Sequence, residues 1–100
     1  MGSEFIAYVG SPDIHDGTIS NFEHQGEKAS VTIITYDKKI LKVEFDGVKS
    51  IKENRPIGMM LYSLSEMKHP DYRRFIFTNW EEEDDAYLEI IGENFRVQNV

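Results

Sequence analysis

The segment from Pro12 to Ile19 contains the residue types of a reactive or metal-binding site. His15 and Asp16 are adjacent, and Asp13 lies two positions before the histidine. Imidazole and carboxylate groups act as general bases and as metal ligands. Neighbouring residues of a strand point to opposite faces, so His15 and Asp16 could share an ion only if the chain turns there. A metal-binding site of this kind would need further ligands from other parts of the chain, and His24 is one candidate.

The same segment also has the composition of a turn that leads into a strand. Asp13 follows a proline and suits an Asx-turn, while Asp16 and Gly17 suit a left-handed backbone position before a strand that begins at Thr18. We therefore interpret the segment as a turn, with no metal and no cofactor. A metal-dependent or acid–base enzyme centred on His15 and Asp16 is the alternative.

A second candidate region is an acidic run flanked by two large aromatic residues. Five successive carboxylates repel one another and stay hydrated, which predicts an exposed loop. The run contains no glycine, so it does not match the calcium-binding loop pattern. Tryptophan and tyrosine are enriched at protein interfaces, and acidic rims steer cationic partners. The predicted partner-binding residues are Trp80, Glu81, Glu82, Glu83, Asp84, Asp85 and Tyr87.

Composition limits the classes of function. A chain of 100 residues without cysteine has no thiolate nucleophile and no cysteine-built zinc site, and the common nucleotide-binding and hydrolase motifs are missing. We therefore expect a protein that is not an enzyme. The net charge of −7 argues against a binder of nucleic acids or anionic membranes and is compatible with a basic protein partner.

The chain is expected to form a single domain over residues 1–100, because its length suits one hydrophobic core. Its first ten residues have neither the basic region of a signal peptide nor an apolar run long enough to span a membrane, so we expect a cytoplasmic protein. Residues 1–4 resemble a translated cloning junction.

Alternation of apolar and polar residues dominates the rest of the chain. Residues 29–36 are rich in Val, Ile and Thr, and residues 41–45 alternate strictly, which predicts a hairpin across Asp37-Lys38-Lys39. Tyr87–Ile91 and Phe95–Val97 predict a second hairpin with a three-residue loop at 92–94. Residues 56–67 are ambiguous, because their apolar positions have helical spacing although strands flank them. We favour a strand over Met59–Met67.

These patterns predict a mainly β fold: an antiparallel meander of about seven or eight short strands that forms a small barrel or sandwich. A short helix near residues 56–67, which would cover an open sheet, is the alternative.

The order of the motifs HDGTI, VEFDGVKSI, IGMMLYSLSE and YLEIIGENFRV resembles small bacterial, mostly-β domains of unknown function, some of them similar to immunity proteins that neutralise a toxin. The resemblance implies an acidic binding protein without catalytic residues, and it assigns no individual binding residue.

The sequence thus supports three hypotheses of function. The leading one is a non-catalytic module, of which an immunity-like protein would be one form, that binds a basic protein through its acidic surface. The second is the enzyme centred on His15 and Asp16, and the third is a structural domain that forms a homodimer by pairing its sheet edges.

Overall fold

The computed structural model describes residues 5–81 and 83–99. The predicted cloning remnant, residues 1–4, lies outside the described residues, as does Glu82 of the acidic run. The described chain forms one single-turn 3₁₀-helix, Pro12–Ile14, and nine strands: β1 (Phe5–Tyr8), β2 (Thr18–Gln25), β3 (Lys28–Ile34), β4 (Ile40–Asp46), β5 (Ser50–Asn54), β6 (Leu61–Met67), β7 (Arg73–Asn79), β8 (Tyr87–Gly92) and β9 (Asn94–Asn99).

The strands form two antiparallel sheets, one with the order β1-β6-β7-β8-β5 and one with the order β2-β3-β4-β9. The fold is therefore mainly β and sandwich-like, as one of the predicted arrangements had it, and the described strands do not close into a barrel. The predicted count of seven or eight strands was wrong. The segment Phe95–Val97 in β9 was already predicted as a strand, so the additional strand is β1, which pairs with β6.

The first predicted hairpin is confirmed. β3 pairs with β4 in a register that sets Val31 opposite Val43 and Ile33 opposite Leu41, and all four side chains are buried. Strict alternation fixes this register, because a slip by one residue would expose every apolar side chain.

The second predicted hairpin is wrong. β8 pairs with β5 and β7, whereas β9 pairs with β4 in the other sheet, and the single residue Glu93 connects the two strands. The chain crosses between sheets at Gly92, where an added Cβ would lie 3.3 Å from the carbonyl oxygens of Asp46 and Gly47. This close approach to the β4–β5 turn lets β8 and β9 cover the same core from opposite sides.

The predicted strand in residues 59–67 is confirmed in its type, and the alternative helix near residues 56–67 is wrong. β6 covers Leu61–Met67, and Met60 forms an isolated bridge with Thr18. Leu61 pairs with Asn79 and Ser63 with Thr78, so β6 has one extra residue there, a β-bulge at Tyr62. The bulge sets the two buried leucines, 61 and 64, three positions apart, which imitates helical spacing.

The core lies between the two sheets and contains a cluster of phenylalanine rings. Phe45 of β4 packs 5.2 Å from Phe75 and 6.0 Å from Phe77 of β7, measured between ring centroids, and Phe95 of β9 lies 5.1 Å from Phe75. Aliphatic side chains from both sheets surround these rings. Within the described residues, no helix is long and apolar enough to cross a membrane.

Candidate functional site

The segment from Pro12 to Ile19 is a turn, as predicted, and backbone hydrogen bonds attach it to β6. Asp16 has a left-handed φ of 67° and donates its N–H to the carbonyl of Leu61 at 2.9 Å, while the Leu61 N–H donates to the carbonyl of Gly17 at 2.7 Å. A Cβ on Gly17 would lie 2.7 Å from a methyl group of Ile33, so only glycine fits this approach. The turn therefore holds its side chains beside the start of β6.

The turn brings His15 and Asp16 together, because the chain bends as the site hypothesis required. The Nε2 atom of His15 lies 3.7 Å from a carboxylate oxygen of Asp16. The Nδ1 atom lies 2.8 Å from the carbonyl oxygen of Tyr62, which can only accept, so Nδ1 carries the proton. This hydrogen bond holds the ring in one orientation.

A larger metal-binding group does not surround this pair. Among the residues that the structure describes, no three His, Asp or Glu side chains are arranged to hold a metal ion. His24 bonds the carbonyl of Gly26 at the far end of β2, and Nδ1 of His69 accepts backbone N–H groups in the β6–β7 loop. The hypothesis of an enzyme centred on His15 and Asp16 stays a prediction with two candidate ligands.

The arrangement around His15 is aromatic. Centroid distances are 5.3 Å from His15 to Tyr62, 5.5 Å from His15 to Trp80, 5.6 Å between Tyr62 and Trp80, and 6.2 Å from Tyr62 to Tyr8. Tyr8 is 62% exposed, Tyr62 41% and Trp80 45%. We call these four residues the aromatic surface. These exposed side chains lie outside the core, and exposed aromatic groups of this kind are candidates for an interaction site.

The strand order explains why residues so distant in sequence meet. β6 lies between β1 and β7, so Tyr8 at the end of β1 and Trp80 just after β7 flank Tyr62. The Trp80 N–H donates to the carbonyl of Met60 at 2.9 Å, which extends the pairing beyond β7. Tyr62 lies on the outer face because it follows the buried Leu61, and the extra residue at the bulge lets Leu64 be buried as well.

Two depressions adjoin the aromatic surface, and Tyr62 lines both. One, of about 370 Å³, is lined by the two tyrosines, His15 and Pro12, among others. The other, of about 770 Å³, is lined by Tyr62, Trp80, Glu81 and Glu83, among others. Both lie in the size range of ligand sites. In the described part of the chain, no lysine or arginine lines either depression.

The described residues of the acidic run, Glu81 and 83–85, lie in a loop, as predicted, but their carboxylates differ in whether they form ion pairs. Arg55, which follows β5 and has a left-handed φ of 46°, forms ion pairs with both Asp84 and Asp85. The side chain of Asn79 donates to Asp84 at 3.1 Å. This bond, with help from the Ala86 N–H and from Arg55, holds the pKa of Asp84 below its ordinary 3.8.

The predicted partner-binding residues therefore separate into groups. Trp80, Glu81 and Glu83 line one depression, and neither glutamate side chain has an ion-pair partner among residues 5–81 and 83–99. Asp84 and Asp85 lie against Arg55, and Glu82 is outside the described residues. Tyr87 is exposed on β8, and within the described chain its ring contacts no member of the aromatic surface.

The predicted site residues included neither Tyr8 nor Tyr62, and the sequence did not connect His15 with Trp80. The signal for Tyr62 was present, since it interrupts the spacing of apolar residues in β6, but it was interpreted as an ambiguity between helix and strand. No local sequence pattern indicates that β1, β6 and β7 are neighbours in one sheet.

No protein-family model matches the chain, and no curated protein or solved structure is similar enough to count as a match. The resemblance to immunity-like domains accordingly stays a prediction.

Proposed function

We propose that the protein is a non-catalytic binding module that recognises a positively charged segment of a partner protein. The recognition surface is the aromatic surface together with Glu81 and Glu83. The observation that carries the proposal is the half-exposed ring pair of Tyr62 and Trp80 beside two carboxylates that no described cation neutralises.

The chemistry of this combination favours arginine and lysine. A cation is attracted to the faces of tryptophan and tyrosine, and a guanidinium group stacks on such rings while its N–H groups bond a carboxylate. In the second depression, rings and carboxylates line the same space. One side chain of a partner could therefore use both interactions at once.

The charge of the whole chain supports the same kind of partner. A net charge of −7 attracts basic proteins over a distance and repels acidic ones. An immunity-like protein that neutralises a basic toxin, the expectation from the resemblance, would be one case of this function.

The test uses the fluorescence of Trp80, the only tryptophan, in titrations with two short peptides that differ in arginine or glutamate residues. The arginine peptide should change the emission and the glutamate peptide should not. The affinity should fall as salt rises from about 20 to about 300 mM, since salt screens exposed charges.

The variant Glu81→Gln/Glu83→Gln should lose most of this binding. A matched control, Glu23→Gln/Glu53→Gln, removes the same charge from exposed positions on β2 and β5 and should keep it. Equal responses to both peptides, or equal losses in both double variants, would contradict the proposal.

A further inference from the structure

The aromatic surface has a second chemical property besides its affinity for cations: it offers hydrogen-bond donors. Within the described chain, the phenol groups of Tyr8 and Tyr62 and the indole N–H of Trp80 make no hydrogen bond, and all three residues are exposed. A ligand that fits these groups must present acceptors and apolar faces together, and it need not supply N–H donors.

A proline-rich segment in the polyproline II conformation has this combination. Proline has no backbone N–H, and the polyproline II helix makes no internal hydrogen bonds, so its carbonyl oxygens are free to accept. Its rings are flat and apolar, and they pack against tyrosine and tryptophan. Such a segment is already extended before binding and therefore loses little conformational entropy.

The spacing of the rings also fits. The centroids of Tyr8 and Tyr62 are 6.2 Å apart, and those of Tyr62 and Trp80 are 5.6 Å apart. Each distance corresponds to about two residues of polyproline II at a rise of ~3.1 Å per residue. A segment lying across the three rings would enter the first depression beside Pro12 and reach Glu81 and Glu83 in the second.

We infer that the partner segment is a proline-rich polyproline II stretch that carries an arginine or lysine at its end. The prolines pack on Tyr8, Tyr62 and Trp80, their carbonyls accept from the phenol and indole groups, and the cation lies between Trp80 and the two glutamates. This inference rests on the proposed function, because it names the conformation and composition of the same charged ligand.

The test compares three seven-residue peptides by calorimetry and by Trp80 fluorescence. The first is Arg-Pro-Pro-Ala-Pro-Pro-Arg, with arginine at both ends so that either binding direction is allowed. The second has alanine in place of every proline, and the third has glutamate in place of both arginines. The first should bind about tenfold more tightly than the second, because its bound conformation is preformed.

Two variants show whether this preference belongs to the aromatic surface. Tyr62→Ala should abolish the advantage of the proline peptide, whereas Tyr36→Ala, which removes an exposed tyrosine in the β3–β4 turn, should leave it unchanged. Circular dichroism of both variants checks that they remain folded.

The outcomes separate the two proposals. If the proline and alanine peptides bind alike and the glutamate peptide does not bind, the proline inference is overturned and the proposed function stands. Binding of the alanine peptide by strand addition at the β1 edge would give that result. If neither arginine peptide binds, or if the glutamate peptide binds as well as the first, both proposals fail.

Discussion

The two faces of the β6–β7 strand pair each carry an aromatic cluster, and the clusters differ in chemistry. The inner one consists of phenylalanines, and Phe45, Phe75 and Phe77 are each at most 1% exposed. The outer one is the aromatic surface, which consists of two tyrosines, a histidine and a tryptophan, all with polar atoms in reach of water. A phenylalanine ring has no polar group to satisfy when it is buried, whereas tyrosine and tryptophan keep a donor available when they are exposed. The inner cluster is thus suited to stability and the outer one to binding.

The largest expected effect tests the inner cluster. Phe75→Ala should lower the free energy of unfolding by about 3–5 kcal/mol, because it removes a fully buried ring in contact with Phe45 and Phe95. Denaturant unfolding followed by Trp80 fluorescence measures the change, and Phe75→Leu, which keeps most of the volume, should cost much less. A loss below about 1 kcal/mol would show that the ring is not a central core residue.

A moderate effect should come from the edge of the outer cluster, where Asp84 holds the acidic loop. Its lowered pKa means that the ionised form stabilises the fold above pH 3.8, and that this contribution is lost as the pH falls through the lowered value. The melting temperature of Asp84→Asn should therefore lie below that of the wild type at neutral pH, and the gap should close below pH 3.8.

The control for this prediction is Glu83→Gln, which removes a charge from the same loop at a side chain without an ion-pair partner among the described residues. The difference in melting temperature between Glu83→Gln and the wild type should be smaller than that of Asp84→Asn. It should also not disappear over the same pH range. A gap for Asp84→Asn that stays constant down to pH 2–3 would contradict the role given to this carboxylate.

The smallest expected effect concerns the outer rings themselves. Tyr62→Ala should lower the free energy of unfolding by only about 1 kcal/mol, because the ring is 41% exposed and loses only its contacts with neighbouring rings. The unfolding curves of Tyr62→Ala and Tyr36→Ala are compared. The difference between their losses of unfolding free energy is the share due to those ring contacts. If Tyr62→Ala lowered the free energy of unfolding as much as Phe75→Ala does, the assignment of one face to stability and the other to binding would be contradicted.

The sequence predicted well where structure is local. The β3–β4 hairpin follows from strict alternation and a short polar turn, and the turn at Asp16-Gly17 follows from residue types that favour left-handed backbone. The exposed loop formed by the described acidic residues after Trp80 was likewise predicted from composition alone.

The failures occurred where non-local packing decides. Glu93 looks like part of a hairpin loop, but the choice between pairing β9 with β8 or with β4 depends on the opposite sheet. The bulge at Tyr62 interrupts the two-residue alternation of apolar and polar side chains in β6, so the sequence did not show a clear strand pattern there. The ion pairs of Arg55 with Asp84 and Asp85, like the meeting of Tyr8, His15, Tyr62 and Trp80, depend on strand order, which local patterns do not encode.

The most direct test of the central claim is a residue-level NMR titration of the ¹⁵N-labelled protein with Arg-Pro-Pro-Ala-Pro-Pro-Arg. The indole N–H of Trp80 gives a unique signal, because the chain has one tryptophan. We expect the largest shift changes at that signal and at the amides of Tyr8, His15, Tyr62 and Glu81. Changes confined to β2, β3 or β9, or none at saturating peptide, would contradict the account.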